Sequence, residues 1–250
     1  MTKVEAGRAM TTREQLVAET FVELADTLVA EFDVIELLHT LASRSVELLD
    51  ASAAGIMMSD QRGGLTVMAS SAEEARLLEL YELQNNEGPC LDCVRSGEPV
   101  VPADLAAMRT AWPEFTRRLQ EFGFSTAQAI PLRLRSETIG ALNLFRTSST
   151  PMTQADLALG QALADVATIG LIQERAIAAS QLLAEQLQAA LNSRILLEQA
   201  KGVLAERTGL PMDQAFQLMR SHARNQGRRL GDIATEIIDG SLVLAGAKTG

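Results

Sequence analysis

The 250-residue chain is longer than one typical domain and shorter than two large ones, so two unequal units are expected. Hydrophobic residues make up 47% of it, which excludes an intrinsically disordered chain. The net charge of −10 argues against a polyanion partner for the whole chain, but the charge is uneven. Residues 1–190 hold 14 basic and 26 acidic residues, a balance of −12, whereas residues 191–239 hold seven basic and six acidic, a balance of +1. Only the C-terminal segment is therefore a credible place to bind phosphates.

The N-terminus and the cysteines indicate a cytoplasmic protein. Met1–Arg13 is polar and lacks the apolar stretch of a signal peptide, and no apolar run approaches the roughly 20 residues that span a bilayer. Two cysteines, Cys90 and Cys93, are too few for a disulfide framework, which agrees with a reducing compartment.

The first part of the chain predicts helices and an antiparallel sheet. Apolar residues fall at helical spacing from Arg13 to Asp50, with Asp33 as an N-cap between two helices. A hairpin is predicted next, with strands over 53–58 and 65–69 around the turn 60–64. It is followed by a helix over 72–83, one or two helical turns over 90–95, a brief strand over 99–101 and a helix over 113–122. A second hairpin is predicted from strands over 127–134 and 138–145 around the turn 135–137. Antiparallel strands with helices gathered on one face make this an α+β domain.

A long helix is predicted next. Thr153 is a good N-cap, and no proline follows before Pro211, so one long or briefly interrupted helix is expected. Apolar residues recur every four positions along it, at Leu183, Leu187, Leu191 and Ile195. Such a stripe must be buried somewhere, and pairing with a second copy in a coiled coil is the simplest solution. We therefore predict a homodimer.

Three short helices are predicted at the C-terminal end. The first is the last part of the long helix, which Gly209 ends; Pro211 and Asp213 begin the second, and the third ends near Gly240. Together they span only about 48 residues, which can form only a marginal core. The module is therefore expected to pack against the long helix or a partner chain.

An ordered motif runs through these three helices. It consists of Ile195–Leu204, Arg207–Leu210, Asp213–Phe216, Leu218–Arg220, Ala223–Arg224 and Ala234. In this register the segment resembles the ANTAR domain, the RNA-binding output module of transcription antitermination regulators. The resemblance implies a three-helix module that, as a dimer, binds a pair of adjacent RNA stem-loops. Binding would stop a terminator from forming and let transcription continue.

Six cations are the candidate RNA-binding residues of this segment: Lys201, Arg207, Arg220, Arg224, Arg228 and Arg229. Arg220 and Arg224 are four residues apart and share one helix face. Guanidinium groups bind phosphates bidentately and stack on the splayed bases of RNA loops. Charge alone is better explained by a solvated helix surface, and the ANTAR resemblance reverses that preference in favour of RNA. Phe216 is expected in the core, so base stacking would depend on arginine.

Four short segments of the first part carry a second resemblance: Glu87–Asp92, Gly97–Val100, Ile130–Leu132 and Ile139–Leu144. They resemble a GAF domain of the kind found ahead of ANTAR in actinobacterial regulators, which implies a sensor of a small molecule or a redox signal. The Asn-Lys-Phe…Asp-Glu signature of cyclic-nucleotide binding is missing, and neither cysteine is followed by histidine as in bilin attachment. The one histidine available as a haem ligand, His39, lies on a predicted helix. No cofactor is therefore predicted.

Cys90 and Cys93 have the spacing of a redox pair or of half a zinc site. A zinc site would need a second cysteine pair or nearby histidines, so a thiol switch or simple packing of one helical turn remains. The carboxylates Glu73, Glu74 and Glu79 are predicted to form a solvated helix face. No catalytic set assembles, so a protein without enzymatic activity is expected.

The predicted organisation is an α+β fold with a GAF-like sensor over 12–175, a coiled-coil connector over 176–191 and an ANTAR-like module over 192–240. The predicted function is signal-responsive transcription antitermination. Three alternatives stay open: a thiol redox enzyme on a GAF scaffold using Cys90 and Cys93, such as a free methionine sulfoxide reductase, a DNA-binding regulator, and a protein-interaction adaptor.

Overall fold

The computed structural model describes residues 3–26, 33–60, 64–135, 137–150 and 152–244, with side chains from residue 13 onward. The predictions for Gln61–Gly63 and Ser136, within the two hairpin turns, lie outside the described residues. The chain divides into two compact units, Met1–Arg175 and Ala176–Gly250.

The first unit combines helices with one sheet, which confirms the predicted α+β class. Its elements in chain order are α1 Lys3–Asp26, α2 Val34–Leu48, β1 Ala53–Ser59, β2 Leu65–Ser70, α3 Glu73–Asn85, α4 Pro89–Ser96, α5 Leu105–Ala111, α6 Pro113–Glu121, β3 Thr126–Leu134, β4 Glu137–Arg146 and the beginning of α7, Gln154–Thr208. Both predicted hairpins are present. The strand predicted over 99–101 is reduced to one bridge between Val100 and Ala129, and α5 was not predicted.

The sheet has the strand order β2-β1-β4-β3, and every neighbouring pair is antiparallel. Side chains of β1 alternate between its two faces. Ala54 and Ile56 belong to the core shared with α2 and α7, whereas Ala53 belongs to a second core shared with α3, α5 and α6. The prediction that the helices gather on one face is therefore wrong. The central strands are buried on both faces, because helices cover the sheet on each side.

The helix boundaries follow the capping residues read from the sequence. The Asp33 carboxylate accepts the backbone N–H of Ile35 at 2.8 Å at the N-terminus of α2. At the N-terminus of α7, the Thr153 hydroxyl accepts the N–H of Asp156 at 3.1 Å. Both side chains satisfy donors that a helix leaves without intrahelical partners.

The long helix α7 is continuous over 55 residues. Leu163, Ala167 and Leu171 pack in the core of the first unit. Among the described helices, α7 is the one long and apolar enough to cross a membrane, with a mean hydropathy of 1.4 in its most apolar window. Because 39% of that window is buried in the fold, as in a core helix, a membrane location is not indicated.

The second unit contains the remainder of α7, α8 Met212–Asn225 and α9 Leu230–Asp239. All side chains from 176 to 195 are exposed, and the predicted stripe over 183–195 is exposed by 48–63%. From Ala200 onward α7 packs on α8 and α9 around a small core that includes Leu204, Met219 and Ile233. Gly209, with φ of +71°, follows the last residue of α7, as predicted.

Candidate functional sites

Three of the six predicted cations in the second unit already have partners in the fold. Lys201 pairs with Glu198 at 2.9 Å, and its ammonium lies 5.6 Å from the centre of the Phe216 ring. The other two engaged cations are Arg207 and Arg228. Arg207 donates to the carbonyl of Ile237 at 2.9 Å, and Arg228 binds both carboxylate oxygens of Glu236 at 2.5 and 3.0 Å.

The other three cations, Arg220, Arg224 and Arg229, are exposed, and their side chains make no hydrogen bond or ion pair within the described part of the chain. Arg220 and Arg224 lie one turn apart on α8, on the side opposite the buried Ala215 and Met219. Arg229 is the N-cap residue of α9 and follows shortly after α8. These three guanidinium groups, hereafter the free arginines, are available to bind phosphate.

Phe216 is half-buried and packs against the core of the second unit, as predicted. It is the only aromatic residue in the second unit. The described surface of this unit therefore offers charge and hydrogen bonds to a ligand, and no exposed aromatic ring for stacking.

The first unit contains a buried polar cluster that the sequence did not predict, formed by Ser70, Glu79, Glu82, Cys90 and Asn143. The prediction of a solvated face is wrong for Glu79: it is fully buried, whereas Glu73 and Glu74 on the same helix are exposed. The Glu79 carboxyl contacts the Asn143 amide at 2.9 Å and the Ser70 hydroxyl at 2.9 Å.

Glu82 lies one turn further along α3 and is also fully buried. Its Oε1 accepts the N–H groups of Cys90 at 2.7 Å and Leu91 at 3.1 Å, at the N-terminus of α4. Its Oε2 and the Asn143 Oδ1 are buried without hydrogen-bond partners. Removal from water raises the pKa of Glu79 and of Glu82 to about 8, and the charge of Glu79 adds to the effect on Glu82.

Two glycines make room for these carboxyl groups. A Cβ at Gly55 in β1 would lie 2.3 Å from the Glu79 carboxyl carbon, and one at Gly88 would lie 2.4 Å from that of Glu82. The carboxyls thus fill the space beside the sheet and the N-terminus of α4. Burial thus favours the protonated, neutral form of both glutamates.

Cys90 and Cys93 are both buried and are not joined in a disulfide. Burial raises the pKa of the Cys90 thiol well above its ordinary value and that of Cys93 to about 12. A reactive cysteine needs a lowered pKa and access to solvent, and this pair has neither. The environment favours the packing role over a thiol switch. Among the described residues, no group of three or more histidine, cysteine or acidic side chains could hold a metal ion.

The fold and these sites define a two-part protein, with an α+β unit ahead of a helical unit. A family model for the GAF domain matches residues 33–171, and one for the ANTAR domain matches residues 185–238. The chain belongs to the GAF domain family and carries an ANTAR domain after it. The ANTAR domain implies an RNA-binding regulator, and the GAF domain implies a sensor. The actinobacterial type stays a prediction.

Solved GAF domains resemble the first unit. The GAF domain of a phosphoenolpyruvate-protein phosphotransferase from Coxiella burnetii is 20% identical, with 66% of this chain and 98% of that chain covered and a TM-score of 0.50. The corresponding domain from Acinetobacter is 13% identical, with 71% and 98% covered and a TM-score of 0.49. At such identities the likeness to the Coxiella domain supports the fold alone. No curated protein matches the sequence.

Proposed function

We propose that this protein is a transcription antitermination regulator that binds paired RNA stem-loops in nascent transcripts. The observation that carries the proposal is the set of free arginines on α8 and α9 within the ANTAR domain. Arginine suits this role because its planar guanidinium binds phosphate bidentately. The cations Lys201, Arg207 and Arg228 have a mainly structural role in this proposal, because each is engaged by another part of the same unit.

The active form in this proposal is a homodimer joined through α7. Leu183, Leu187, Leu191 and Ile195 are exposed by 48–63% in the single chain, which is unusual for four large apolar residues in a row along a helix. A parallel coiled coil would bury them and place two ANTAR domains where two stem-loops can be bound together.

The sensor acts on the output through α7. The same continuous helix contributes Leu163 and Ala167 to the core of the first unit, and Ala200 and Leu204 to the core of the second. A signal that alters the packing of Leu163 and Ala167 in the first unit would change how two copies of α7 associate. The protein works in the cytoplasm and has no enzymatic activity of its own in this proposal.

A gel-shift experiment with a tandem hairpin RNA, each hairpin with a six-base loop, tests the proposal. The double variant Arg220→Ala, Arg224→Ala should bind the RNA at least tenfold more weakly, and the salt dependence of its binding should fall by about one unit per arginine. The matched control is Arg109→Ala, Arg117→Ala, which removes two exposed arginines from the first unit.

The outcomes separate the proposed function from its alternatives. Equal loss in both double variants would mean that only net charge matters, and the site assignment would be wrong. Tighter binding of duplex DNA than of hairpin RNA by the wild-type chain would identify a DNA-binding regulator. Absence of binding to either nucleic acid would favour a protein-interaction adaptor.

A further inference from the structure

An uncharged side chain lies at one end of the arginine face of α8. Gln217 is exposed, and its side-chain amide has no hydrogen-bond partner among the described residues. A helix turns about 100° per residue, so Gln217, Arg220 and Arg224 fall within an arc of about 60°. This arc lies opposite Ala215 and Met219, which are buried in the core of the unit. The Gln217 amide thus shares one solvent-facing surface with two free guanidinium groups, which follow it one and two turns further along the helix.

The chemistry of this surface divides into two kinds. Arginine bound to phosphate positions a nucleic acid but does not distinguish one base from another. A glutamine amide carries a donor and an acceptor side by side, which matches the edge of a base and adenine in particular. Unpaired loop bases of RNA expose these edges.

The other residues of this arc leave the task to Gln217. The unit has no exposed aromatic ring in its described part, so stacking on such a ring cannot select the base. Asp213 shares the arc at the N-terminal end of α8, but its carboxylate repels phosphate. Ser221 lies at the margin of the arc and has a shorter side chain with a single hydroxyl.

We propose that Gln217 recognises the edge of one unpaired loop base while Arg220 and Arg224, further along the same helix face, hold phosphates next to that base. The inference rests on the proposed binding of RNA stem-loops and adds the residue that selects their loop sequence. A bidentate contact of this kind changes the preference for the correct base by about tenfold or more.

A selection experiment with the full chain tests this role on RNA hairpins of random loop sequence. The probe is a pool of tandem hairpins with six randomised bases in each loop, from which bound molecules are recovered and sequenced. We expect the wild-type chain to enrich particular bases at defined loop positions. Gln217→Ala should lose the preference at one loop position, by about tenfold, and keep both the remaining preferences and the salt dependence of binding.

Two comparison variants make the result specific. Arg220→Ala should weaken the binding of all loops alike and lower the salt dependence. Asn225→Ala removes another exposed amide, about 100° from Arg224, and should leave every base preference unchanged. Circular dichroism of each variant verifies that the helices remain folded.

Two results would overturn the inference while sparing the proposed function. One is a Gln217→Ala chain that keeps all base preferences, and the other is a wild-type chain that binds hairpins without any base preference. A wild-type chain that retains hairpins no better than unstructured RNA of the same length would instead overturn the proposed function.

Discussion

The two buried glutamates of α3 predict that the first unit loses stability as the pH rises. Glu79 and Glu82 each have a pKa of about 8 in the fold, against an ordinary value of 4.5. The folded chain therefore binds more protons than the unfolded chain between these two values, so the free energy of unfolding falls with pH there. The stabilisation is fully present below pH 4.5 and is lost as the pH rises through 8.

The size of the effect follows from the difference of about 3.5 between the two pKa values. At about 1.4 kcal/mol for each pH unit, ionising one of these carboxyls costs the fold about 5 kcal/mol. A whole domain is stabilised by only about 5–15 kcal/mol. The first unit should therefore approach its unfolding threshold above pH 8.

Glu82→Gln isolates the contribution of one carboxyl. The amide keeps an oxygen to accept the N–H groups of Cys90 and Leu91, but it cannot ionise. We expect the variant to resemble the wild type near pH 5 and to exceed it in stability by several kcal/mol at pH 8.5. Urea unfolding of the full chain, followed by circular dichroism at half-unit steps of pH, measures this difference.

The control is Glu74→Gln, which removes an exposed carboxyl from the same helix and should leave the pH profile unchanged. The reasoning is refuted if Glu82→Gln is less stable than the wild type at both pH values. That result would mean that the N-terminus of α4 stabilises an ionised Glu82 more strongly than burial penalises it.

Three further predictions address the other sites. Leu187→Asp places a charge in the exposed stripe of α7 and should convert a dimer into a monomer in sedimentation equilibrium, while an unchanged mass would exclude pairing there. Glu236→Gln frees Arg228 and should strengthen hairpin RNA binding a few-fold in a gel shift, whereas weaker binding would show that Arg228 needs this partner. Cys90 and Cys93 should resist iodoacetamide at pH 7 until urea unfolds the chain, and rapid labelling of the native protein would restore the thiol switch.

The features that the sequence predicted well are those decided by neighbouring residues. Asp33 and Thr153 cap helices because their side chains bond to N–H groups two or three positions away. Gly209 follows the end of α7 because it adopts a positive φ. Both hairpins likewise follow from short apolar runs on either side of a turn.

Contacts between distant residues decided the features that the sequence did not predict. The buried face of α3 comprises Ala75, Leu78, Glu79 and Glu82, a helical spacing that in hindsight places both glutamates inward. A carboxylate on a helix is ordinarily solvated, and the partner that buries Glu79, Asn143, is 64 positions away in the sequence. Distant contacts also decide which of the six cations are engaged and which are free. The carbonyl that accepts from Arg207, for example, lies 30 positions further along the chain.

The exposed stretch of α7 over 176–195 has a consequence for the order of the helix itself. A helix of about 20 residues without tertiary packing is only marginally stable in water, even when both ends are held. In the proposed dimer, dissociation and melting of this stretch become coupled steps of one equilibrium. Amide hydrogen exchange of its backbone should therefore slow as protein concentration rises, so that the exchange rate of this segment measures assembly.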